Sequence, residues 1–267
     1  MTAKLARLKR IIKSYKGMVL AYSGGVDSSF LMKVAADVLN KRLVCVTASS
    51  ALYPKAETDS ARRLARQLKV KHLVIKTREL SRSQFTRNPP MRCYYCKKEL
   101  FGRLKKIARP FGYVVADATN FSDRTDFRPG SRAAVELGIK SPLAQARFTK
   151  DEIRQCARKF GLPNWSKPAL ACLASRIPYG TRITTRLVAR INKAEAVLGR
   201  LGFKQVRVRA HGPVARIEIN RDDFGAIIRC RQVIVNSLRR LGFDFVTLDL
   251  AGYATGSMNR LLTRHTR

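Results

Sequence analysis

The chain has 267 residues, 45% of them apolar, which is room for one large α/β domain or two unequal ones and too much apolar content for a disordered tail. Against 18 Asp and Glu stand 54 Lys and Arg, a formal charge of +36 that attracts polyanions without naming one. The basic residues are scattered, as in SARRLARQLKVK, and no apolar run reaches the length of a membrane span. A solvated basic face is therefore favoured over a dedicated nucleic-acid groove, and no membrane partner is expected.

In chain order, the N-terminal stretch MTAKLARLKRIIKSYKG is basic with helical apolar spacing and has no apolar h-region, so it reads as the first helix of a cytoplasmic domain and not as a targeting segment. A short strand over Met18–Ala21 runs into the turn Ser23-Gly24-Gly25, and a helix starts near Asp27 and continues to Leu39. Strand Leu43–Thr47, a helix around Glu57–Leu68 and strand His72–Ile75 follow. That alternation predicts βαβ units and a parallel sheet flanked by helices. Pro89–Cys96 reads as a loop leading into a helix, and strand Tyr113–Ala116 ends in the polar loop DATNFSDRTDFRPG. Helices are expected around Arg132–Leu137 and Lys150–Phe160, the second opened by Thr149 and Glu152 as a capping box.

After an irregular stretch from Pro163 to Gly180 the tail reads helix Arg186–Leu201, strands Gln205–Arg209 and Ala215–Ile219, helix Phe224–Leu241 and strand Phe245–Leu248. The expected organisation is a nucleotide domain over residues 1–180 and a smaller α+β substrate domain over 181–267.

VLAYSGGVDSSF is the most specific feature. Its two glycines permit a tight turn after a strand, so that backbone amides and the start of a helix face an anion. The candidate phosphate-binding residues are Ser23, Gly24, Gly25, Val26, Asp27, Ser28 and Ser29, with the serines as hydroxyl donors and Asp27 holding Mg²⁺ or fixing the loop. No lysine follows the glycines, so the loop is not a Walker A. It suits pyrophosphate, the group that leaves ATP when an acceptor attacks the α-phosphorus.

Three of the six cysteines, Cys45, Cys156 and Cys230, lie in apolar-periodic segments and are expected in the core. Cys93 and Cys96 form a CxxC and Cys172 lies in KPALACLASRIPYG. Zinc ordinarily takes four ligands, whereas three thiolates can hold three irons of a [4Fe–4S] cluster and leave the fourth open. Arg92, Lys97, Lys98 and Arg176 are the basic neighbours that would favour thiolates.

The segments SGGVDSS, NPPMRCYYCKKELF, DFRPGSRAAVELGIKSPL, TKDEIRQCARKFGLPNWSKPALACLASRIPYG, VRVRAHGPVARIEI and GSMN together resemble the ATP-dependent sulfur transferases of nickel-pincer cofactor synthesis (LarE-type), members of the PP-loop ATP pyrophosphatases, along nearly the whole chain. The resemblance implies that ATP adenylates a carboxylate of pyridinium-3,5-biscarboxylic acid mononucleotide and that sulfur displaces AMP to leave a thiocarboxylate. It implies that Cys172 handles the sulfur, by giving up its own or, where the CxxC is also present, as a [4Fe–4S] ligand with Cys93 and Cys96. It further implies that Arg207 and Arg209 bind the substrate phosphate, beside Glu195 and Glu218. A homo-oligomer is expected. The competing readings are tRNA thiolation, an ATP-dependent amidotransferase or ligase, and a basic nucleic-acid-binding protein on a degenerate nucleotide fold.

Overall fold

Met18–Ala21 (β1) has no polar alternate, the pattern of a strand covered on both faces. The computed structural model, which describes residues 2–125, 129–168, 171–254 and 256–259, bears this out. Met18 and Leu20 enter one core with Leu43 and Cys45, while Val19 enters a second with Val44, Val46 and Val115. Asp126–Arg128, Ala169 and Leu170, part of the segments that carry the resemblance, lie outside the described residues.

The chain divides into two compact units, Met1–Glu79 with Met91–Leu170, and Leu80–Pro90 with Ala171–Arg267. The first unit runs α1 (Thr2–Lys13), β1, α2 (Val26–Leu39), β2 (Leu43–Ser49), α3 (Lys55–Gln67) and β3 (Lys71–Lys76). After the excursion carrying α4 (Ser83–Thr86) it resumes with α5 (Arg92–Ala108), β4 (Val114–Ala116), α6 (Pro129–Glu136), α7 (Pro142–Gln145) and α8 (Lys150–Lys159). All strand pairs are parallel, in the order β3-β2-β1-β4. Helices α1, α2, α3 and α8 contribute to the first core, on one face of the sheet, and α5 and α6 to the second. This is the expected PP-loop arrangement. The chain steps outward from β1 to β2 and β3, then returns to place β4 on the other side of β1. The crevice beyond the carboxyl ends of β1 and β4 is therefore a topological switch point, where open α/β sheets bind ligands.

The second unit holds α9 (Thr185–Arg200), β5 (Val206–His211), β6 (Val214–Ile219), α10 (Phe224–Arg229), α11 (Arg231–Arg240) and β7 (Phe245–Leu248). Its sheet is mixed, β5 antiparallel to β6 and β6 parallel to β7. Val206, Val208 and Ala210 lie opposite Ile219, Ile217 and Ala215 and are buried with them, so one face of this sheet is apolar. The segment 80–90 is held in this unit by Asn88, fully buried, whose side-chain amide donates to the Pro178 carbonyl at 2.7 Å while its own carbonyl accepts from Gly180 at 3.0 Å.

Three local expectations change. Helix α5 begins at Arg92, so Cys93 and Cys96 lie at its start and not in the preceding loop. The helix expected over Phe224–Leu241 is interrupted at Cys230, which leaves helical geometry at φ −89° and ψ 4°. Cys45 and Cys156 are buried as expected, but Cys230 is only half-buried because it occupies that interruption. The capping box forms in full, with Thr149 accepting from the Glu152 amide and Glu152 accepting from the Thr149 amide at 2.9 Å.

Candidate functional site

Gly24 sits at φ +75°, where a side chain is strained, and a Cβ there would stand 3.0 Å from the Cβ of Ala61 on α3. Both facts require glycine. The Gly25 amide turns back to the Ser23 hydroxyl at 3.3 Å, Ser23 and Ser28 exchange a hydrogen bond at 3.1 Å, and the Ser28 hydroxyl reaches the Gly25 carbonyl at 3.1 Å. Helix α2 then starts at Val26 with no side chain capping it. A helix start without a cap presents its first-turn N–H groups and the positive end of its dipole to whatever lies beyond, which favours an anion.

Across the switch point, the loop after β4 is braced by Asp117, which accepts from the Thr119 amide at 3.1 Å, the Thr119 hydroxyl at 2.8 Å and the Ser141 hydroxyl at 2.7 Å. That bracing places the buried Asn120, whose amide donates to the Asp27 carboxylate at 3.0 Å. Asn120 and Asp123 also exchange backbone and side-chain bonds at 3.1 and 3.2 Å. Burial raises the Asp27 pKa from its ordinary value, the Asn120 hydrogen bond opposes that, and the Asp123 charge adds to it. A half-buried carboxylate with a second acidic group beside it has the chemistry of a cation site next to phosphates. Among the described residues no group of three or more His, Cys, Asp or Glu is placed to hold a metal ion.

At the start of α5, exposed Cys93 and half-buried Cys96 stand about one turn apart, at a helix start with no side-chain cap. The Cys96 thiol lies 3.9 Å from the buried carboxylate of Glu79. Of the expected basic neighbours, Lys98 is bound to Tyr94 at 2.8 Å, and Lys97 stands over the ring of Phe101.

Cys172 belongs to the second unit, half-buried immediately before the turn Leu173–Arg176. Arg176 shapes the chain there by donating to the carbonyls of Ala171 at 2.7 Å and Cys172 at 3.1 Å. Its other edge forms a paired contact with Glu195 at 2.9 and 3.0 Å.

Strand alternation puts Arg207 and Arg209 on the polar face of β5, opposite Glu218 and Arg216. Arg209 donates to Glu218 at 2.7 Å and to the Ser257 hydroxyl at 3.0 Å. Arg216 joins Glu218 at 3.2 Å to Asp249 at 3.1 Å. The guanidinium of Arg207 lies over the Tyr253 ring, and burial lowers its pKa, with Arg176 adding repulsion. Glu195 accepts from the Val208 amide at 3.0 Å. All four predicted residues thus fall in one charged network. Among the described residues four guanidiniums (Arg176, Arg207, Arg209, Arg216) face three carboxylates (Glu195, Glu218, Asp249), an excess of one positive charge. The Nε–H groups of Arg209 and Arg216 are buried and have no hydrogen-bond partner among the described residues.

Sequence reasoning missed Arg216, Asp249 and Tyr253. Arg216 was within reach, since pairing VRVR against VARIEI in register sets it opposite Arg209. It also missed Asn164, which donates to the Gly24 carbonyl at 3.0 Å and carried no signal beyond its place in LPNW.

The NAD synthase family pattern matches residues 5–122, the stretch from α1 through the phosphate loop to Asn120. An uncharacterized protein of Synechocystis sp. is 41% identical over 98% of this chain and 99% of its own length, and one of Methanocaldococcus jannaschii is 30% identical over 94% and 97%. The pyridinium-3,5-bisthiocarboxylic acid mononucleotide synthase of Lactiplantibacillus plantarum is 38% identical over 99% of this chain and 96% of its own. End-to-end likeness of that degree means that the chain belongs to the family of this synthase.

Proposed function

We propose that the protein is an ATP-dependent sulfur transferase that adenylates a carboxylate of pyridinium-3,5-biscarboxylic acid mononucleotide and converts it to a thiocarboxylate, for nickel-pincer cofactor synthesis. The observation that carries this reading is the match along 99% of the chain to a synthase named for the bisthiocarboxylic acid mononucleotide. The uncapped start of α2 supports the ATP-dependent half.

A substrate carboxylate oxygen attacks the α-phosphorus of ATP, and the bond to the bridging oxygen breaks as pyrophosphate leaves. Ser23–Ser29 receives the pyrophosphate, its first-turn amides and helix dipole stabilising the charge that develops there. Asp27 fits Mg²⁺, which when bound neutralises phosphate charge. Sulfide delivered at Cys172 then attacks the acyl carbon, and the carbon–oxygen bond to AMP breaks to leave the thiocarboxylate. Where the Cys172 Sγ itself attacks, the product is a thioester, and loss of the Cα proton with cleavage of the Cβ–Sγ bond releases the thiocarboxylate and leaves dehydroalanine. Arg207 and Arg209 anchor the substrate phosphate, with Glu218 holding Arg209 and Glu195 holding Arg176 and the Val208 amide beside them. The excess positive charge and the buried Nε–H of Arg209, which has no hydrogen-bond partner among the described residues, support that role.

The family resemblance assigns Cys93, Cys96 and Cys172 to a [4Fe–4S] cluster; three thiolates are donors of the kind such a cluster takes, and if bound it would supply an iron open to sulfide. Iron and labile sulfide on protein purified without oxygen test this, wild type beside Cys172→Ala. The expected result is about four irons in the wild type and a loss in the variant. No iron in either would remove the cluster and point to Cys172 as a sacrificial donor or to cysteines that have lost their use, two outcomes that intact mass after turnover separates.

A further inference from the structure

Helix α8 is followed by a short strap, residues 160–167, that returns to the phosphate loop. Its carbonyls at Trp165 and Lys167 accept from Arg154 of α8 at 3.1 and 2.9 Å, and the Trp165 ring lies under the Arg158 guanidinium. Lys167 is ion-paired with Glu57 on α3, the helix whose Ala61 abuts Gly24. From the middle of this strap Asn164 extends its side-chain amide to the Gly24 carbonyl at 3.0 Å and to the Ser29 hydroxyl at 2.8 Å. The carbonyl acceptor fixes which end of the amide is Nδ2, because the reverse orientation would set two acceptors against each other. The remaining atom, Oδ1, is then buried without a hydrogen-bond partner among the described residues. The side chain thus gives up satisfaction of its own acceptor to deliver both donors to the loop.

We propose that Asn164 is a positioning residue for the phosphate loop, acting on the plane of the Gly24–Gly25 peptide. In a trans peptide the C=O and N–H point in opposite directions, so holding the Gly24 carbonyl fixes where the Gly25 N–H points. With glycine on both sides that plane is open to a flip, which would break the hydrogen bond from the Gly25 N–H to the Ser23 hydroxyl and turn a carbonyl oxygen into the loop. Asn164 prevents the flip. Its second bond, to Ser29, ties the same clamp to the first turns of α2.

This inference rests on the reading of the loop as a pyrophosphate site, and the test separates the two. Calorimetric titrations with Mg²⁺-pyrophosphate and, separately, with AMP are run on wild type, Asn164→Asp and Asn164→Ala, alongside the melting temperature of each free protein. Loss of the clamp is expected to weaken pyrophosphate binding about tenfold in both variants while AMP affinity and melting temperature hold, the difference of about one charge-assisted hydrogen bond. Unchanged pyrophosphate affinity overturns the positioning role. A parallel fall of pyrophosphate affinity, AMP affinity and melting temperature also overturns it, since that describes a brace of the fold. Should Asn164→Asp fail to fold, Asn164→Ala carries the comparison without the introduced charge. Wild type that binds neither ligand would instead sink the adenylation reading itself.

Discussion

Burial at the start of α2 raises the Asp27 pKa from its ordinary value. Folded protein therefore binds that proton more readily than unfolded protein, and stability is lost as pH rises through the folded pKa. Near neutrality an ionised Asp27 weakens the free protein, an arrangement that makes sense at a site meant to meet a cation. Asp27→Asn should raise the melting temperature of the free protein at pH 7 and abolish pyrophosphate release from ATP; an unchanged melting temperature would contradict the burial argument. The histidines act in the other direction. Burial lowers the pKa of His72, whose Nε2 meets Thr47 at 2.7 Å while its Nδ1 is buried without a partner among the described residues. Because Thr47 donates its own proton to the Tyr22 carbonyl at 2.8 Å, Nε2 carries the hydrogen and protonation would have to fall on Nδ1. His211 is shifted down as well, by burial and then by Arg216 and Arg209. The stability from these neutral imidazoles is present above the unfolded value of about 6.5 and is lost as pH falls below it. Thermal melts from pH 8 to 5 should show that loss, and His72→Gln should make it smaller.

At the scale of elements, β1, the loop and α2 were legible because each local signal agreed: an apolar strand, two glycines, a polar start and an apolar helix. Gly24→Ala tests the geometry they produce. The positive φ and the 3.0 Å approach to Ala61 should together weaken pyrophosphate binding without unfolding the domain, read by calorimetry and melting temperature. Full affinity in that variant would mean the loop does not bind in this conformation. The capping box at Thr149 was equally readable, since it is local. Two features were not. The start of α5 at Arg92 is set without a side-chain cap at Met91, so no residue announces it, and that shift places Cys93 and Cys96 on a helix turn. The attachment of residues 80–90 to the second unit depends on Asn88 finding Pro178, ninety positions away, a contact with no local pattern. The charged network on β5 and β6 was half legible: alternation gives Arg207 and Arg209 a common face, but Arg216, Asp249 and Tyr253 arrive through strand register and chain return.

At the scale of the whole molecule, the charge of +36 is not consumed by the proposed chemistry, which needs only a handful of cations around phosphates. The scattered basic surface should bind polyanions weakly and without sequence preference. Affinity for a mixed tRNA pool is expected to fall steeply between about 50 and 200 mM salt, as counterion release requires. Retention of tight, sequence-selective tRNA binding at the higher salt would favour the thiolation of RNA over that of a small mononucleotide. If the loop of the first unit adenylates and Cys172 of the second handles sulfur, the two steps should be separable by mutation. The most direct measurement follows pyrophosphate release and thiocarboxylate formation together, from ATP, Mg²⁺ and pyridinium-3,5-biscarboxylic acid mononucleotide, with protein prepared without oxygen. Wild type should yield both products, Asp27→Ala neither, and Cys172→Ala substrate-dependent pyrophosphate without thiocarboxylate. Thiocarboxylate formed at the wild-type rate by Cys172→Ala, or no substrate-dependent pyrophosphate from the wild type, would contradict that assignment of roles.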